Sequence, residues 1–162
     1  DAQLMVPRAA LVGTGAAAAI LGVWVGVFSV TLLRPELGCS YGPETQFWGY
    51  DTVDLTACFA TMSEAVIAAY RDVLTGTDRA LAIALAAFLA LWSLHLKSLL
   101  GVLAALTYGV ADLGEGVFLV RALDGDLSAV ALASVLTSLK VGSLVLSVAI
   151  CFWKAHVSRR MT

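Results

Sequence analysis

The sequence predicts an all-α polytopic membrane protein, a bundle of four transmembrane helices with one interfacial helix in its first non-cytoplasmic loop. Hydrophobic residues make up 60% of the 162 residues and charged residues 14%, a balance outside the soluble range. The apolar residues also lie in four long blocks separated by charged punctuation, as bilayer spans require, and not in short amphipathic stripes. These blocks fill most of the chain and leave one four-span domain over residues 1–162. A formal charge of -2 with no polybasic surface excludes nucleic acid as a partner, and the expected partners are membrane lipids and other membrane subunits.

The first span is expected from Ala9 to Leu33, uncharged between Arg8 and Arg34. It is too long for a signal-peptide apolar region and is read as a retained span, in a chain that begins at Asp1 and so looks processed or trimmed. Its small residues include Gly22 and Gly26 in G-x-x-x-G spacing, which lets another helix approach, within the chain or from a second protein.

Residues 34–79 form the one sizeable extramembrane loop. Its first half, RPELGCSYGPETQFWGYD, reads as a turn-rich cap with Phe47, Trp48 and Tyr50 near the headgroups. Its second half carries an interfacial helix. Ser63 is the expected N-cap and Glu64 falls in the first turn, while Val66, Tyr70, Val73 and Leu74 share one face and Gly76 stops the helix. Cys39 and Cys58 lie in this loop as a candidate disulfide, closing about 20 residues for roughly 3 kcal/mol if the compartment is oxidising.

The second span is expected from Ala80 to Leu96 and the third from Ser98 to Val120. The tight HLKS link makes the two antiparallel neighbours. The fourth runs from Leu127 to Trp153. Arg8, Lys97, Lys154, Arg159 and Arg160 fall on the side of the termini, while the long loop is acidic. The termini are therefore placed on the cytoplasmic-equivalent side of a bacterial inner membrane or an organellar one, mitochondrial inner or thylakoid.

Three ionisable residues interrupt the apolar spans: Asp112 and Glu115 on the third, Lys140 on the fourth. The two acids, three apart, share a helix face. At helical rise Asp112 lies about 16 Å below the loop-side surface, Glu115 about 12 Å and Lys140 about 20 Å. A lysine side chain leaning toward its helix N-terminus lifts its ammonium by roughly 6 Å, level with the acids. Lys140 is thus expected to bridge to Asp112 or Glu115, with Thr137 one turn above supplying a hydroxyl. Two acids against one base leave a surplus carboxylate that is protonated, wetted or paired with a cation from elsewhere. The cluster is read first as a device that fixes helix registry, then as a proton or substrate site, and last as catalytic.

No metal site and no cofactor are expected beyond bound lipids. The cysteines form no C-x-x-C motif, and the lone His95 beside Lys97 reads as a headgroup contact and not as a haem ligand.

The stretches ADLGEGVFLVRAL and LTSLKVGSL resemble a loose group of small four-span bacterial membrane proteins of no established activity, with D-x-x-E-N in the third span and T-x-x-K-W in the fourth. Gly116 stands in place of the Asn and Val141 in place of the Trp. The resemblance covers about the last hundred residues and implies a fold, not a reaction. Lacking a nucleophile elbow, phosphate loop or metal cluster, the chain is expected to be a non-catalytic accessory or assembly subunit of an energy-transducing membrane complex, respiratory or photosynthetic. The alternative is a small proton-coupled transporter or lipid-handling membrane enzyme using Asp112, Glu115 and Lys140.

Overall fold

The computed structural model describes residues 6–29, 31 and 49–160, the last three by backbone alone. The described residues form helices and no strand: α1 (Arg8–Phe28), α2 (Thr52–Thr61), α3 (Glu64–Thr75), α4 (Thr77–His95), α5 (Leu99–Leu123) and α6 (Ser128–Arg160). Four stretches are long and apolar enough to cross a bilayer: Arg8–Phe28, Glu64–His95, Leu99–Leu123 and Ser128–Val157.

Local chemistry sets the helix ends. Pro7, at φ −62°, starts α1, and its carbonyl accepts from Ala10 N at 3.0 Å. Asp51 caps α2 by accepting from Val53 N at 2.6 Å, and Ser63 caps α3 by accepting from Val66 N at 3.4 Å. The sequence reading assigned no helix to residues 52–61; the Asp51 cap and the burial of Leu55 and Cys58 provide one. Cys58 is not a free thiol, and Cys39, its expected partner, lies outside the described residues.

The helix that carries the expected second span begins before Ala80. Gly76, with φ −112° and ψ −87°, breaks the backbone for a single residue, so α3 ends at Thr75 and α4 starts at Thr77. Asp78 therefore sits in the first turn of α4, on a membrane-length stretch and not in the loop where the sequence reading placed it.

The link from α4 to α5 is as tight as the HLKS motif requires. Lys97 adopts φ 53°, Ser98 N donates to Ser93 O at 2.8 Å, and Ser98 Oγ accepts from Gly101 N at 3.2 Å to start α5. At the other end Asp124, Gly125 and Asp126 turn the chain into α6, with Gly125 at φ 95°. Asp126 is held below the usual carboxylate range, first by the Ser128 hydroxyl and then by Arg121. A depressed folded pKa stabilises the turn above the ordinary Asp value of 3.8, and that contribution disappears as pH falls through the lower folded value. Asp126→Asn should therefore flatten the acid limb of a thermal-unfolding pH profile and leave the neutral region nearly unchanged.

The last helix runs past the expected end at Trp153, through KAHVSRR to Arg160. Thirty-three residues make a rod of about 50 Å, longer than the roughly 30 Å hydrocarbon layer, so its polar tail projects beyond the apolar span.

Helices α5 and α6 form the closest pair, α4 packs on α5, and α1 rests on α4. Small residues permit this closeness. A Cβ on Gly109 would lie 2.8 Å from the Ala86 Cβ on α4, and a Cβ on Gly101 would lie 2.5 Å from Ser93 Oγ. Gly109→Leu should cost about 1 to 3 kcal/mol through overpacking, read as a lowered unfolding midpoint in detergent, whereas Gly142→Leu, where nothing lies within 4 Å, should be nearly silent.

The main apolar core lies at the α2–α3 end of the bundle, where Leu55, Tyr70 and Leu74 meet Leu119 on α5 and Val130 and Ala133 on α6. This core closes over one end of α5 and α6, and the charged residues lie just beneath it.

Candidate functional site

Three residues of α5 at helical spacing, Tyr108, Asp112 and Glu115, face Thr137 and Lys140 of α6. Lys140 Nζ lies 2.9 Å from Asp112 Oδ1 and also pairs with Glu115 Oε2, so the one base contacts both acids. Tyr108 donates its hydroxyl to Asp112 Oδ2 at 2.7 Å, and Thr137 donates to Glu115 Oε1 at 2.6 Å. From the segment before α2, the Tyr50 hydroxyl reaches the same Glu115 oxygen at 3.4 Å while its backbone N–H donates to Ser134 Oγ at 3.0 Å. Glu115 Oε2 makes its closest contact with the Lys140 ammonium.

Burial within the cluster is uneven. The side chains of Asp112 and Glu115 keep 7% and 3% of their exposure, and that of Lys140 keeps 21%. Lys140, Asp112 and Glu115 line a cavity of about 530 Å³ bounded by α1, α3, α4, α5 and α6. Its polar lining comprises Asp78, Tyr108, Asp112, Glu115, Thr137 and Lys140, and its apolar lining includes Val25 of α1, Leu81 of α4 and Val145 of α6. A largely apolar cavity with a few converging polar groups is the arrangement in which proteins bind small ligands, in sites of roughly 300–1,000 Å³.

Of the residues singled out in the sequence, Asp112, Glu115, Thr137 and Lys140 come together. Gly22 and Gly26 lie apart from them on α1. A Cβ at Gly22 would approach Leu81 at 3.8 Å, while Gly26 faces nothing within 4 Å. Arg121 pairs at the surface with Asp126 and lies over the Phe118 ring at 5.8 Å. His95 and His156 are exposed. Among the described residues no group of three or more His, Cys, Asp and Glu side chains is placed to hold a metal ion.

Sequence reasoning missed Tyr108, Tyr50 and Asp78. Tyr108 was legible, being one helical turn before Asp112 on the same face. Asp78 was hidden because the sequence reading placed it in the loop, whereas the helix already starts at Thr77. Tyr50 carries no local signal, because 65 residues separate it from Glu115.

Among the described residues the fold and the site together define an all-helical arrangement with four membrane-length stretches around a buried Lys–Asp–Glu cluster. Comparison with protein-family models, curated proteins and solved structures finds no match to this chain.

Proposed function

We propose that this is an integral membrane protein that works as a small proton-coupled carrier, with Asp112, Glu115 and Lys140 as the charge-handling centre. The observation that supports this most is the cavity. A cluster serving helix registry alone is served best by close packing, yet here the ammonium and both acids line about 530 Å³ of open space. With all three groups ionised the cluster holds one more negative charge than positive. That surplus can be met by a proton or by a bound cation, and exchange between the two is the elementary step of coupled transport. Four spans are few for alternating access, so the carrier works as a dimer. On this reading α3 lies at the loop-side interface and the termini face the cytoplasm or its equivalent.

The test is proteoliposomes with a trapped pH dye, challenged with a panel of amphiphilic amines, carboxylates and neutral lipids under an imposed pH gradient. At least one panel member should dissipate the gradient only when protein is present. A panel in which no member does so contradicts the proposal.

A second reading, the accessory subunit of a larger complex, draws on α1. This helix leans on α4, a Cβ at Gly26 would meet nothing within 4 Å among the described residues, and Val23 and Val27 stand 69% and 55% exposed. Native purification separates the two: defined stoichiometric partners favour the subunit, whereas a homodimer alone favours the carrier.

A further inference from the structure

We infer that the seam where Ser93 of α4, Gly101 of α5 and Ser147 and Cys151 of α6 meet is a closed gate, through which the charge centre reaches the side of the α4–α5 turn. The gate rests on the carrier reading of the cluster and adds to it the side that is shut and the residues that shut it.

The two sides of the cluster are built differently. Toward α3 lies open volume. The cavity is walled by Leu74 and Asp78 near the α3–α4 joint, and among the described residues its lining stops at Tyr108 on α5 and Val145 on α6. Beyond that level the helices close up. Ala105 is 0% exposed, and a Cβ on Gly101 would meet Ser93 Oγ at 2.5 Å and Ile150 Cγ2 at 3.3 Å, so α4, α5 and α6 converge on one glycine. A carrier that is open on one side has to be shut on the other.

The seam lies in line with the cluster. Ser147 and Cys151 follow Lys140 by seven and eleven residues, which returns both to its face of α6. Cys151 lies about 16 Å along the helix from Lys140 at helical rise.

What fills the seam is small and polar. Ser93, Ser147 and Cys151 are fully buried. Ser93 Oγ and Cys151 Sγ lie 3.3 Å apart, and Ser147 Oγ donates to Gly101 O at 3.3 Å. Close packing between membrane helices needs only Gly or Ala, whereas each hydroxyl adds a group that must be satisfied whenever the helices part. Water can do so, and these long bonds exchange for it readily when α4 moves off α5 and α6. An apolar seam would part onto a gap that water does not wet. This one would offer a line of hydroxyls from the α4–α5 turn toward Lys140.

Cys151, the one free thiol among the described residues, reports on the gate without any substitution. Wild type in proteoliposomes under an imposed pH gradient is exposed on both faces to a charged methanethiosulfonate, with and without the panel member that moves protons. The label is read by intact mass. It should enter Cys151 about tenfold faster while protons move than at rest, as a gate shifts from rarely to often open. Lys154→Cys, at an exposed position one turn further on, sets the rate of an unguarded thiol. A second measurement shuts the gate chemically. Ser93→Cys faces Cys151, and copper-catalysed oxidation of the two thiols by oxygen to a disulfide should cut proton movement to that of protein-free liposomes, while wild type treated alike stays active. Cys151 labelled no faster during proton movement than at rest overturns the gate and leaves the seam as fixed packing in an active carrier. Labelling at rest as fast as in Lys154→Cys overturns its closed state. Undiminished movement after oxidation of Ser93→Cys, or thiols that do not join, overturns the gate as well. Wild type that moves no protons with any panel member overturns the carrier and the gate together.

Discussion

Lys140→Met is expected to destabilise the protein by roughly 3–5 kcal/mol, the largest effect of any single substitution in the bundle. Among the described residues the ammonium is the one positive charge in contact with Asp112 and Glu115, whose side chains are 7% and 3% exposed. Its removal leaves two buried carboxylates with the Tyr108, Thr137 and Tyr50 hydroxyls as partners among those residues. Neither Thr137 nor the tyrosines can supply the lost charge, and water reaching the cavity solvates the acids only in part. The triple variant Lys140→Met, Asp112→Leu, Glu115→Met should recover most of the loss, since an apolar replacement of a buried ionic cluster is often neutral or stabilising. Unfolding midpoints in one detergent, compared across wild type, single and triple variants, give the result directly. A single variant as stable as wild type would falsify the description of the cluster as desolvated.

Glu115→Gln is expected to separate stability from activity. With the amide oxygen turned toward Lys140 and its NH2 toward Thr137, whose hydroxyl then donates to Ala133 O, both neighbours stay satisfied, and Lys140 keeps its 2.9 Å contact with Asp112. The cluster moves from a surplus negative charge to exact balance, so the stability change should stay within about 1 kcal/mol and assembly should proceed. Gradient-driven proton movement, by contrast, should fall to the level of protein-free liposomes, because a balanced cluster has no charge to exchange. Loss of expression or oligomer with proton movement per folded protein unchanged would place the cluster among registry devices. Asp112→Asn is the useful companion. It removes an acid that is held by both Lys140 and Tyr108, so it should cost more stability than Glu115→Gln.

The sequence and the structure part company at identifiable places. Charge punctuation marks where a chain leaves hydrocarbon, and it located four membrane-length stretches, but helices do not stop where hydrophobicity does. KAHVSRR is polar and continues α6, because lysine, alanine and arginine favour helix. Thr77, Asp78 and Arg79 are polar and begin α4, because a single Gly76 is enough to end one helix and start the next. The second of these boundary effects hid Asp78 from the cavity it lines. Spacing along a helix and depth along a span are enough to bring Asp112, Glu115 and Lys140 to one level. They could not disclose Tyr50, whose approach depends on how the segment before α2 folds over Ser134. Nor could they disclose the cavity, because an unfilled volume is a property of how α1 stands off from α6 and no local pattern encodes that.

The charge-handling centre is tested most directly by proton movement in proteoliposomes under an imposed pH gradient, compared at equal amounts of folded protein between Glu115→Gln and Asp126→Asn, whose carboxylate pairs with Arg121 outside the cluster. Asp126→Asn should match wild type, and Glu115→Gln should fall to the rate of protein-free liposomes. Equal rates in all three proteins would contradict the account and leave a fixed ion pair that holds α5 against α6.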